Sequence, residues 1–219
     1  MKELRREFAV FGNFVKVNFE TVLNWKSGFN AGDLIVEGAP DINAIKPITG
    51  ISISGPISVR PQLSSAEKKT VLFFGTSRIN IVQNSPDTQL GDFRMFINKV
   101  LELIFDDSDY NVNRLALNGN VEIGEFPKVL DVKEKFFKDS DLYSSFDEIQ
   151  FRINSCIFDA TLNNYINRII NVANAGETLN GSYDFNTRVL NDRKYNREEI
   201  DKFMELAFEY RQKFFDELV

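Results

Sequence analysis

Histidine is absent from the chain, and cysteine occurs once, at Cys156. The first absence removes Ser-His-Asp and Cys-His catalysis, His-ligated zinc and a histidine pH switch together. The second removes an internal disulfide and any Cys-x-x-Cys site. Cys156 lies in a strand-like stretch and is expected to be a small buried hydrophobe. No segment approaches the ~20 consecutive apolar residues of a membrane span, and no apolar run follows the charges of Lys2, Glu3, Arg5 and Arg6. The expectation is a soluble, cytoplasmic protein with no membrane partner. Gly-x-Gly-x-x-Gly, phosphate-loop and Gly-x-Ser-x-Gly motifs are missing as well, so no cofactor is expected.

What is present is a core-forming composition. Hydrophobic residues make up 43% of the chain and 21 residues are Phe, which excludes wholesale disorder. Net charge is −6 but uneven: residues 1–80 carry 10 basic and 7 acidic side chains, residues 81–219 carry 16 and 25. The acidic majority argues against a nucleic-acid-binding surface over most of the molecule. The difference in sign between the two parts favours self-association.

The local pattern is clearest at the end of the chain. Asn196-Arg197-Glu198-Glu199 fits a capping box, and Ile200, Phe203, Met204, Ala207, Phe214, Phe215 and Leu218 form one apolar stripe behind it. Arg211 fills the vacant slot. Upstream, Tyr183, Phe185, Thr187 and Val189 alternate with polar residues as a strand does. Further strands are predicted over Phe8–Phe19 with a bulge at Gly12, over Val71–Gln83, over Val112–Ile123 with a hairpin turn at Asn118-Gly119, and over Ile149–Phe158 and Tyr165–Val172. Helices are predicted from Ser85 through Ile104 and from Pro127 through Phe137, and Gly176 to Gly181 is read as a turn. Short connections between strands favour antiparallel pairing. The fold class is therefore α+β, a mainly antiparallel sheet or sheets covered by amphipathic helices. Residues 1–219 are read as one compact domain. The repeated strand–helix spacing at 71–105 and 183–218 allows two similar lobes, 1–125 and 126–219.

Three sets of residues are candidates for function. Residues 26–66 hold four of the chain's 6 prolines and five glycines. A long irregular stretch of this kind is often functional, which makes Trp25, Phe29, Ile51 and Ile53 candidate partner contacts. Arg78, Arg114, Arg152 and Arg188 each fall in a predicted strand, opposite the clearest apolar residues. If those faces converge they form a cationic patch for an anionic ligand; the competing use is cross-strand pairing with Asp147, Glu148 or Asp184. Asp131-Val132-Lys133 matches half of a metal-dependent nuclease site, with Asp131 as the Mg²⁺ carboxylate. Asp107 to Asn113 imitates a calcium loop, but Val112 replaces the turn glycine and Asn118 the bidentate Glu.

The strand–helix–strand unit of Arg78-Ile79-Asn80-Ile81, Phe93 to Leu101 and Val112 to Leu117, taken with Asp184-Phe185-Asn186-Thr187 and the closing helix, resembles a sporadically distributed bacterial family of uncharacterised proteins. That family carries an Arg-bearing strand after its first long helix and an Asp-x-Asn-Thr strand before its last. The resemblance implies an α+β architecture and a bacterial or mobile-element setting of the defence or toxin-neutralising type, not a reaction. Residues 26–66 depart from it, since a helix is expected there. With no intact catalytic constellation, the leading expectation is a non-enzymatic protein-binding or assembly protein that self-associates. The alternatives are a metal-dependent enzyme acting on a nucleotide or nucleic acid through Asp131, and a small-ligand sensor built on the strand arginines.

Overall fold

The period-2 stretches pair into one sheet, and the period-3.6 stretches lie across one of its faces. The computed structural model describes residues 2–29, 34–40, 58–65, 67, 69–84, 90–105, 110–125, 150–175, 178–190 and 192–218. In chain order these form β1 (Lys2–Asn13), α1 (Phe19–Lys26), β2 (Leu34–Pro40), β3 (Val59–Ser65), β4 (Thr70–Phe74), β5 (Arg78–Gln83), α2 (Leu90–Phe105), β6 (Asn111–Glu125), β7 (Gln150–Asp159), β8 (Asn164–Ala175), β9 (Thr178–Thr187) and α3 (Arg197–Leu218). The nine strands are antiparallel throughout and run in the order β2-β3-β4-β5-β1-β6-β9-β8-β7. The fold is α+β. Among the described residues, no helix is long and apolar enough to cross a membrane.

The register separates the two faces. Phe8 and Val10 of β1 stand beside Ile81 and Ile79 on one side and Leu117 and Leu115 on the other, and Leu117 stands beside Phe185. All seven are buried. The helices lie on this face. Trp25 of α1 meets Phe74 at 5.7 Å between ring centres, Phe93 of α2 lies under the Arg6 guanidinium, and Phe203 of α3 meets Phe8 at 6.3 Å. Burying an aromatic or aliphatic side chain of this size stabilises by about 1.5–3 kcal/mol. Helix stripes and strand alternation therefore close over each other.

α3 starts as its sequence predicts. The Asn196 side chain accepts from the Glu199 N–H and the Glu199 carboxylate accepts from the Asn196 N–H, both at 2.9 Å. Its stripe buries Ile200, Phe203, Met204, Ala207, Phe208 and Phe214. Arg211 interrupts the stripe to reach Glu3 of β1, donating from Nε at 3.0 Å and from a terminal nitrogen at 2.5 Å. Tyr183 donates its hydroxyl to the same carboxylate at 2.5 Å. Burial, reinforced by the Glu3 charge, pushes the Tyr183 phenol well above its ordinary pKa. The hydroxyl is thus held protonated, as a donor.

Several expected boundaries move. The predicted strand over 71–83 is the hairpin β4–β5, turned at Gly75, where the Gly75 N–H donates to the Arg78 carbonyl. Asn118-Gly119 is not a turn: β6 runs straight through it. Gly119 lies opposite Tyr183, and a Cβ there would sit 2.5 Å from the Tyr183 hydroxyl and 2.6 Å from its ring. The glycine makes room for a ring from a distant strand. The predicted strand over 8–19 ends at Asn13, after a register shift at Gly12, where a Cβ would strike the Asn111 carbonyl. Beyond it, Asn18 caps α1 by accepting from the Thr21 N–H at 2.9 Å, so a short polar side chain overrides the alternation of Val15, Val17 and Phe19. The turn expected over 176–181 is shorter, since β9 already starts at Thr178. β9 stops at Thr187, leaving Val189 exposed. Cys156 is exposed, not buried, because it points away from the helices. The predicted helix over 127–137 lies outside the described residues.

Candidate functional site

The second face of the sheet is touched by none of the described helices. At its centre the filling is small or polar: Glu7, Ala9, Asn80, Ala116 and Asn186 are buried there. Asn80 and Arg5 both donate to the Glu7 carboxylate. Asn167 donates to Asn186 at 3.1 Å, which in turn donates to Asp184 at 3.0 Å. Asp184 is thereby engaged within its own face, and no ion pair joins it to a strand arginine among the described residues.

Toward the end of the sheet where β5, β6 and β8 begin, the character changes. Phe11 of β1 is paired with Arg78 of β5 on one side and Arg114 of β6 on the other. Both guanidiniums lie over its ring, at 5.7 Å and 4.7 Å from the ring centre. The row continues across the sheet. Asn186 pairs with Ala116 and with Asn167, so two residues along each strand Arg114, Arg188 and Tyr165 follow one another. Arg188 donates its backbone N–H to the Tyr165 carbonyl and lays its guanidinium 4.5 Å from that ring's centre. Tyr165 in turn meets Phe158 of β7 edge-on at 5.2 Å. Carried two residues past Ala116–Asn186, the last β6–β9 pair, the line Arg78, Phe11, Arg114, Arg188, Tyr165 and Phe158 crosses the sheet over about 24 Å at roughly 4.8 Å per strand, with Arg188 just beyond the end of β9.

Electrostatically this row is unfinished. Among the described residues, Arg78 and Arg114 have no ion pair, and the Nε of each is buried without a hydrogen-bond partner. Their guanidinium centres are at most the sum of their distances to Phe11 apart, about 10 Å. Two like charges at that distance repel by on the order of 1.5 kcal/mol at an effective dielectric of about 20. A buried donor left without an acceptor costs about 1–3 kcal/mol more. An anion seated between the two arginines would offset both costs. At the other end of the row, Phe158 is 51% and Tyr165 44% exposed, and Arg188 is exposed as well.

Of the residues singled out in the sequence, Arg78, Arg114 and Arg188 share this row. Arg152 does not: its partner on β8 is Asn171, six residues from Tyr165 and therefore about 20 Å along the strands. Phe29 is buried and stacked on Phe96, and Trp25 packs between Phe74 and Tyr110, so both rings belong to the covered face. Ile51, Ile53, Asp107, Asp131, Asp147 and Glu148 lie outside the described residues. Sequence reading missed Phe11 and Tyr165. The available signal was phase: Phe11 is apolar but falls opposite Phe8 and Val10.

A different charged cluster, Glu3, Arg6, Arg211 and Tyr183, lies on the covered face. Burial lowers the Arg6 pKa, whereas the Glu3 hydrogen bond and charge outweigh burial and raise that of Arg211. Arg6, Arg211 and Tyr183 all donate to the one Glu3 carboxylate, and the cluster serves to fasten α3 to β1. Among the described residues, no group of three or more Cys, Asp or Glu side chains stands close enough to hold a metal ion. No protein-family model matches the chain, and no curated protein matches it.

Proposed function

We propose that this is a binding protein whose second sheet face holds an anionic group between Arg78 and Arg114. The observation that carries this reading is the pair of guanidiniums sharing Phe11, each with a buried donor that has no acceptor among the described residues. Charge-assisted hydrogen bonds to such a group are short and strong. Calorimetry with inorganic pyrophosphate tests it. The wild-type chain binds, and the Arg78→Ala/Arg114→Ala variant binds roughly tenfold or more weakly at an unchanged melting temperature. Saturating pyrophosphate, at about 100 times its dissociation constant, adds about 2.7 kcal/mol to wild-type stability. Equal affinity in the two proteins removes the assignment.

A second reading, self-association, is favoured by β7. Among the described residues it is an edge strand of 10 residues without proline, paired only with β8. Such an edge presents a row of free backbone donors and acceptors. A second copy pairing antiparallel about Ser155 would set Arg152 opposite Phe158, a cation–π pair. Sedimentation of the wild type against an Ile157→Pro variant decides this reading: a wild-type monomer at every concentration ends it.

A further inference from the structure

The anion position is only half of the row, and the other half has a different chemistry. Tyr165 and Phe158 offer exposed rings, and the guanidinium of the exposed Arg188 lies over the Tyr165 ring, 4.5 Å from its centre. Aromatic rings and guanidinium planes are the surfaces on which nucleic-acid bases stack. By strand order, Phe11, which the two arginines share, and Tyr165 are three strands apart, about 14 Å, with Arg114 and Arg188 between them. A ligand that satisfies both ends carries a negative group and a flat aromatic group joined by a spacer long enough to cross that distance. A sulfate or a simple carboxylate would fill only the Arg78–Arg114 end and leave the rings in water. We infer that the row is a nucleotide site, with phosphate between Arg78 and Arg114 and the base stacked on Tyr165 and Arg188. This rests on the anion reading above. Nothing in the row reads a base edge, so the site selects for a stackable base without choosing among bases.

The phosphate and base could belong to a free nucleotide or to one unit of a single strand. A single strand would run its backbone along the row and gain from Arg188 as a further phosphate contact. The experiment uses the full chain with three probes, inorganic pyrophosphate, ADP and a short single-stranded oligoadenylate, titrated by calorimetry. ADP is expected to bind on the order of tenfold more tightly than pyrophosphate. Tyr165→Ala is expected to erase that difference while leaving pyrophosphate affinity and melting temperature unchanged, and Tyr165→Phe to retain it. Oligoadenylate binding more tightly than ADP, with a steeper salt dependence, identifies the strand as the source; equal or weaker binding identifies the free nucleotide. If ADP binds no more tightly than pyrophosphate, or Tyr165→Ala leaves ADP affinity intact, the nucleotide site is overturned and the anion site stands. If neither probe binds, both fall.

Discussion

The two faces of this sheet use the same strands to opposite ends. On the covered face Phe8, Val10, Ile81, Leu117 and Phe185 stand side by side, and helices close over them. A charged cluster there, around Glu3, has Arg6, Arg211 and Tyr183 converging on a single carboxylate. One residue further along each strand, the second face carries Glu7, Asn80, Asn186 and the row from Arg78 to Phe158. There, among the described residues, the charges of Arg78 and Arg114 have no ion-pair partner and the rings of Tyr165 and Phe158 are exposed. Where every group is matched, a side chain serves stability; where partners are missing, it is available to something outside the fold. That difference predicts which substitutions cost folding and which cost binding.

The largest effect is expected from Phe203→Ala, which empties the contact with Phe8 and should cost about 3–5 kcal/mol. Urea denaturation followed by circular dichroism measures it, and a loss below about 1 kcal/mol would break the contrast between faces. Glu3→Ala leaves Arg211 and Arg6 facing each other without their carboxylate and should cost about 3 kcal/mol. Adding Arg211→Met should recover part of that, because the stranded charge goes with it. A smaller effect is expected from alkaline pH. The Tyr183 phenol has its pKa raised by folding, so the native state keeps a proton that the unfolded chain releases near pH 10. Its contribution is complete below about pH 10 and is lost progressively as pH rises beyond it. Thermal unfolding at stepped alkaline pH should show this slope in the wild type and a shallower one in Tyr183→Phe. The smallest effect is expected from Arg114→Ala, which should change stability by no more than about 0.5 kcal/mol, since it removes a like-charge repulsion along with a contact. A loss above about 2 kcal/mol would mark Arg114 as a structural residue and sharpen the boundary against the row.

What could be read from the chain alone follows the range of each interaction. The Asn196–Glu199 box spans three residues, and its reciprocal hydrogen bonds form where expected. The helix stripes of α2 and α3 were legible for the same reason, as was the antiparallel α+β class, which follows from alternation and short connections. Asn118-Gly119 misled because the reason for the glycine is Tyr183, on β9, and nothing near position 119 announces it. Val15, Val17 and Phe19 misled because alternation is a weaker constraint than an Asn cap. The strand arginines could be picked out by type, but Arg152 could not be separated from the others without the register of β7 on β8. Phe11 could not be joined to Arg78 and Arg114 without knowing that β1 runs between β5 and β6.

The position of β1 has a consequence for how the molecule comes into being. This strand is made before everything it pairs with, yet it is the spine between β5 and β6. Phe8 must wait for Ile81 and then for Leu117, more than a hundred residues downstream, and Glu3 waits for Arg211 near the end of α3. At a synthesis rate of about 5–20 residues per second, the apolar side of β1 stays unpartnered for several seconds on each new chain. Such distant pairings make for slow folding. Until those partners are made, Phe8 and Val10 have nothing to pack against on each new chain.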